Sequence, residues 1–228
     1  MKLTITETLE DTRAYYSEEF KELVLEELYH NAYRTLRSVF IFENFEQYEY
    51  QLKSDKQEDK NDVYWKASYY EKLTDYIKIA LAFENYNKAV LIENGYLVRR
   101  IQKNDKTKDF WTLQEKGQPV TISDFKQKCG FVNDNRFRKK YYLEGLRKGF
   151  PTINYSQTLK EEYQKIIGLN TRLVYQLKEL NEKRNKLHFF TDFKGAFSVS
   201  SHLEKWRFIK DCSLNILEQK IDKLILEK

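Results

Sequence analysis

The chain has 228 residues, an apolar fraction of 41%, an aromatic fraction of 15% and a net charge of +5 from 40 basic and 35 acidic side chains. That is long enough for one large core and too rich in tyrosine and phenylalanine for a disordered chain. No apolar run is long enough to span a bilayer, and the N-terminus lacks the basic and apolar regions of a signal peptide, so a cytoplasmic protein without membrane contact is expected.

Seven glycines and two prolines leave long uninterrupted stretches, which favours helices. The first, from Ser17 to Leu52, carries apolar residues at three- and four-residue steps (Phe20, Leu23, Val24, Leu28, Ala32, Leu36, Val39, Phe40), with Ser17 as an N-cap before acidic residues. A charged connector, Lys53 to Asp62, separates it from a second stretch. That stretch repeats the period through Trp65, Tyr69, Leu73, Tyr76, Ile77, Ala80, Leu81 and Phe83, and Asn94-Gly95 ends it.

Between residues 102 and 155 the pattern changes, and we read this part as an insertion in a single helical domain spanning 1–228. Both prolines and four glycines fall here. "KDFWTLQEKGQPVTI" reads as a short hairpin or loop, "ISDFKQKCG" as a short helix closed by Gly130, and "NRFRKKYYLEGLRKG" as another closed by Gly149. From Lys126 to Lys148 eight basic residues face only Asp134 and Glu144, a net charge of +6, so the remainder of the chain is nearly neutral and the positive field is concentrated there.

A third long helix is expected from near Ser156 to Phe190, with the stripe Leu159, Tyr163, Ile166, Ile167, Leu173, Val174, Leu177, Leu180 and Leu187. "SHLEKW" has the spacing of a capping box, Ser201 as N-cap and Glu204 three residues on, opening a last helix whose stripe includes Leu203, Trp206, Ile209, Cys212 and Ile216. The fold expected is all-α, an up-down bundle of four to five long helices with an inserted basic, partly irregular subregion.

Within the third helix, "KRNKLHFF" holds Arg184, Asn185 and His188. Residues four apart share a helix face. Arginine presents a fixed cationic fork to phosphate oxygens, histidine transfers protons near neutrality, and asparagine can orient either by hydrogen bonding. Together they suffice for RNA cleavage without metal. His188 would deprotonate a 2′-hydroxyl or protonate the leaving 5′-oxygen, and Arg184 would stabilise the transition-state charge. Acid and base are two tasks, so a second copy of the motif from a symmetric partner is expected. The structural alternative is a local ion pair of Arg184 with Glu179 or Glu182.

With "IALAFENYNKAVLIENGYLV" (Ile79 to Val98) in the second long helix and "EKRNKLHFF" in the third, the chain resembles the HEPN superfamily, the higher eukaryotes and prokaryotes nucleotide-binding domains. The resemblance covers Ser17 to Ile101 and Ser156 to Leu226. It implies a four- or five-helix bundle, a homodimer joining two Arg/His motifs, and metal-independent ribonuclease activity in a toxin–antitoxin or anti-phage defence setting. RNA, such as tRNA, is the implied substrate, and an antitoxin or defence-complex protein the implied partner. Three residues separate Arg184 from His188, fewer than in the usual active pattern, and Asn181 stands where a longer spacing would need arginine.

Two readings of function follow. In the first, Arg136, Arg138, Lys139, Lys140, Arg147 and Lys148 guide RNA to the cleft and Tyr141 and Tyr142 stack on bases. In the second, the chain is a catalytically inert module binding RNA, a nucleotide or a protein, with Tyr48, Tyr50, Tyr64, Trp65, Tyr69 and Tyr70 supplying an interface. No phosphate-binding glycine loop or metal-ligand spacing is present in the sequence, so no cofactor and no metal are expected; His30 and His202 read as surface or capping residues, and Cys129 and Cys212 as core thiols.

Overall fold

The computed structural model describes residues 18–54, 74–101, 103, 105–129, 152–187 and 199–226; within these the side chains of 18–24, 52, 126, 183–187, 199 and 224–226 fall outside the description. The described residues are all-α, with ten helices and no strand. In chain order they are α1 (Glu18–Arg37), α2 (Phe40–Glu43), α3 (Phe45–Lys53), α4 (Tyr76–Glu93), α5 (Lys108–Glu115), α6 (Ile122–Cys129), α7 (Tyr155–Thr158), α8 (Glu161–Ile167), α9 (Thr171–Leu187) and α10 (Val199–Leu226). Four of them, α1, α4, α9 and α10, are long, at 20, 18, 17 and 28 residues.

The chain divides into two compact units, and the divisions fall inside α1 after Leu28, inside α4 after Tyr86, and after Gly168. One unit takes the described residues up to Leu28 and from Asn87 to Gly168. The described residues of the expected insertion belong to it, alongside 87–101 and 156–168. The other takes Tyr29–Tyr86 and the chain from Leu169 onward.

In the second unit the expected first helix is broken. α1 stops at Arg37, Val39 is extended (φ −68°, ψ 117°), and Asn44 separates α2 from α3. The break is held from a distance: the buried Asp75 carboxylate accepts the Phe40 and Ile41 N–H groups, each at 3.1 Å, and the Lys78 ammonium donates to the Ser38 carbonyl. Those amides open α2 and have no intrahelical acceptor, so a carboxylate beside them replaces the cap that the local sequence lacks. The buried stripe of α1 runs Leu25, Tyr29, Ala32 and Leu36; Leu28, expected inside, is only half-buried. The core of this unit is aromatic. Trp206 stacks on Tyr76 (centroids 6.1 Å, planes at 4°) and meets Phe42 edge-on, while Tyr29 and Phe83 each meet Tyr86 edge-on.

The first unit is built on turns. α4 ends where Asn94-Gly95 marks the stop: Gly95 has φ +76°, its N–H reaches the Ile92 carbonyl (3.0 Å), and the Tyr96 N–H reaches Leu91 (2.8 Å), the paired bonds of a Schellman ending. The following segment makes two isolated antiparallel bridges, Tyr96 with Thr121 and Arg99 with Thr152. Buried Gln114 secures that segment, donating to the Arg99 carbonyl (2.9 Å) and accepting the Ile101 N–H (2.7 Å). Where the sequence suggested a hairpin or loop, α5 forms and closes on Gly117 (φ +81°); α6 forms as expected.

The expected third helix is also interrupted, as α7, α8 and α9. Gly168 (φ +75°) ends α8 in the left-handed region, which a Cβ disfavours. Alanine at Gly168 would meet no atom within 4 Å, so only backbone strain opposes it. Gly168→Ala is therefore expected to lower stability by about 1 kcal/mol in urea unfolding, with the transition's steepness unchanged. The last helix begins at Val199, which puts Ser201 inside α10 rather than at its N-cap.

Candidate functional site

α9 starts because Asn170 supplies a side-chain acceptor, its Oδ1 taking the Arg172 N–H at 2.9 Å. Its inner face is Leu173, Val174, Leu177, Leu180 and Asn181, all buried. Arg184 stands four residues past Leu180 and seven past Leu177, and Asn185 follows it, in a helix that is continuous to Leu187. His188 follows Leu187 in sequence but lies outside the described residues, as do Arg136, Arg138, Lys139, Lys140, Tyr141, Tyr142, Arg147 and Lys148; the side chains of Arg184 and Asn185 are outside the description too. Glu179, a candidate partner for Arg184, receives the Lys205 ammonium at 2.8 Å. Asn181 is among the few buried polar residues of this unit.

A second group of polar residues joins α3 to α10. The Tyr48 hydroxyl and His202 Nε2 are 2.7 Å apart across 154 residues of sequence, and the imidazole stands edge-on to the Tyr48 and Trp206 rings. His202 is therefore neither a surface nor a capping residue: it is half-buried within α10 and fastened to α3. Beside it, Glu49 accepts from Arg207 (2.6 Å) and Lys53 (2.5 Å). The Arg207 hydrogen bond, then that of Lys53, holds the Glu49 carboxyl down at about 2. Arg207 and Lys210 lie over the Phe45 ring at 5.6 and 5.1 Å. Aromatic contact and charge pairing coincide here, a combination that fixes two helices and leaves Arg207 already engaged by a carboxylate.

The residues named as an interface separate in the same way. Tyr48 is buried and Tyr50 is 75% exposed, while Tyr64, Trp65, Tyr69 and Tyr70 lie outside the described residues. Cys129 and Cys212 form no disulfide and are half-buried, and burial raises both thiols above their usual range. Among the described residues no cluster of three or more histidine, cysteine or acidic side chains is arranged to hold a metal, and no helix is long and apolar enough to cross a membrane.

The sequence signals missed Asp75 and the Tyr48–His202 pair. Asp75 carried a signal of a kind, an acid inside an otherwise apolar helical stripe; Tyr48 and His202 carried none, since each is unremarkable in its own helix. The chain matches no family model, no curated protein and no solved structure.

Proposed function

We propose that this chain is a HEPN-like, metal-independent endoribonuclease in which Arg184, Asn185 and His188 act on the RNA backbone. The observation that carries the reading is the continuity of α9 through Arg184 and Asn185 up to the residue before His188, in an all-α chain whose described residues form four long helices. His188 takes the proton of the 2′-hydroxyl or delivers one to the departing 5′-oxygen, Arg184 stabilises the charge building on the non-bridging oxygens, and Asn185 orients one of them. DNA has no 2′-hydroxyl and is not cut by this route.

One motif supplies one histidine, so the proposal includes a homodimer whose second motif performs the complementary proton transfer. The basic segment Lys126 to Lys148 adds affinity for the RNA backbone, and a defence or toxin–antitoxin role, with an antitoxin as partner, fits an enzyme that attacks RNA. The test is cleavage of total RNA and tRNA in the presence of a chelator. Wild type should leave 2′,3′-cyclic phosphate ends, and His188→Ala and Arg184→Ala, with unchanged helicity and dimer mass, should each lose at least about 100-fold in rate. Absence of cleavage by wild type, or full activity in both variants, would overturn it.

The three-residue gap between Arg184 and His188 favours one second reading, a catalytically inert module that binds a protein partner. Tyr50 and Tyr175, at 75% and 65% exposure, are the large side chains such a partner could cover.

A further inference from the structure

Two lysines of the first unit, Lys103 and Lys128, are stacked on aromatic rings rather than paired with carboxylates. Lys103 Nζ lies 4.5 Å from the centroid of the Trp111 ring, and Lys128 Nζ lies 5.5 Å from that of Phe110. Both lysines are exposed, Trp111 is half-buried, and Phe110 belongs to the small core with Leu97, Ile101 and Val120. Lys106 is exposed as well, and its carbonyl receives the Cys129 thiol at 3.2 Å. Burial pushes that thiol up, and the Lys128 and Lys106 ammoniums pull it back, which shows that both charges bear on one point of the surface.

A lysine paired with a carboxylate has little field left for a ligand. This is the state of Arg100, held by Glu115 at 3.3 Å, and of Lys165, held by Glu162 at 2.9 Å. No ion pair engages Lys103 or Lys128 among the described residues. An ammonium over an aromatic ring keeps its full charge, and its move from the ring to a phosphate uncovers that ring face for a base to stack on. Lys128 also belongs to the basic stretch that continues to Lys148. Exposed acids stand on the same elements (Asp105, Asp109 and Asp124), and a polyanion threading past them is selected by the spacing of its charges as well as by their number.

We propose that Lys103, Trp111 and Lys128, with Lys106, form a binding face for single-stranded RNA, the lysines contacting phosphates and Trp111 stacking on a base. The choice of RNA rests on the ribonuclease reading above; the face itself does not depend on catalysis.

The experiment uses the full chain and a fluorescein-labelled single-stranded oligouridylate bearing 2′-O-methyl groups, which cannot be cleaved by 2′-hydroxyl attack. Failure of binding and failure of the catalytic reading are thereby distinguishable, because this probe reports binding by the wild-type chain whether or not that chain cleaves RNA. The double variant Lys103→Gln/Lys128→Gln should bind about tenfold more weakly at low salt, and the slope of log affinity against log salt should shrink by about 1.4, the value for two lost phosphate contacts on a single strand. A control pair in the other unit, Lys178→Gln/Lys223→Gln, removes the same charge and should bind like wild type. Independently of any variant, photocrosslinking wild type to 5-iodouridine RNA should label the peptide containing Trp111. The proposal is overturned if the two double variants bind alike, if the crosslink maps elsewhere, or if polyglutamate displaces the RNA as well as unlabelled oligouridylate does, which would mark a general site for acidic chains.

Discussion

Asp75→Ala is expected to lower the unfolding free energy by about 3 kcal/mol, read from the midpoint of urea unfolding. Asp75 is fully buried and accepts hydrogen bonds from the Phe40 and Ile41 amides and, at 3.2 Å, from the Thr74 hydroxyl. Ile41 is itself 1% exposed, so no water can replace the lost acceptor at its amide. Asp75→Asn keeps one acceptor oxygen and should cost roughly half as much, because about 1–3 kcal/mol attaches to each buried donor left unpaired. A loss below about 1 kcal/mol for alanine would show that α2 opens without this cap.

The same residue gives a pH signature with a definite sign. Burial pushes the Asp75 carboxyl above the usual aspartate value, and the Ile41 and Phe40 amides and Lys78 only partly oppose it. A folded-state value above the unfolded one means that the folded chain holds this proton more tightly. The contribution is fully present below the ordinary aspartate value and is lost as pH rises through the raised folded value. Wild type measured against Asp75→Asn should therefore gain relative stability as the solution is acidified. A stability difference independent of pH would overturn the assignment.

Trp206→Ala should be more damaging still, by about 3–5 kcal/mol, with collapse of the near-ultraviolet circular dichroism. Trp206 is fully buried, stacked on Tyr76 and edge-on to Phe42, and beside His202, so its removal leaves a cavity lined by large rings that cannot close around it. The indole N–H has no acceptor among the described residues. Trp206→Phe removes that unpaired donor along with one ring, and the two effects oppose each other, so a loss of only about 1 kcal/mol is expected. A phenylalanine variant as unstable as the alanine one would mean that the indole N–H is satisfied after all.

The helical class was legible because it rests on local periodicity. The stripes through Ala32 and Leu36, through Tyr76, Ala80 and Phe83, and through Leu177, Leu180, Trp206 and Ile209 repeat every three or four residues and can be read without knowing any partner, whereas Ile77 and Leu81, read into the same stripe, are exposed. The stop at Gly95 was legible for the same reason, since its conformation depends on the missing Cβ alone. Gly168 carried the same signal and was passed over, because an apolar period continues on both sides of it. The Arg184–Asn185–His188 spacing was visible as a motif, but periodicity says only that such residues share a face.

What escaped the sequence was every feature made by residues far apart along the chain. The break after Arg37 depends on Asp75, 35 residues beyond Phe40, and no propensity at Ser38 or Val39 would place it there. His202 looked solitary because its partner Tyr48 is 154 residues away. Lys103 and Trp111 are closer in sequence, yet only the turn before α5 brings the ammonium over the ring. Sequence alone determined the helices, since hydrogen bonds between near neighbours and the turn-by-turn recurrence of apolar side chains are local. Tertiary structure decided where those helices break and which polar groups meet, because a buried carboxylate or imidazole takes its partner from whatever element packing brings within hydrogen-bond distance.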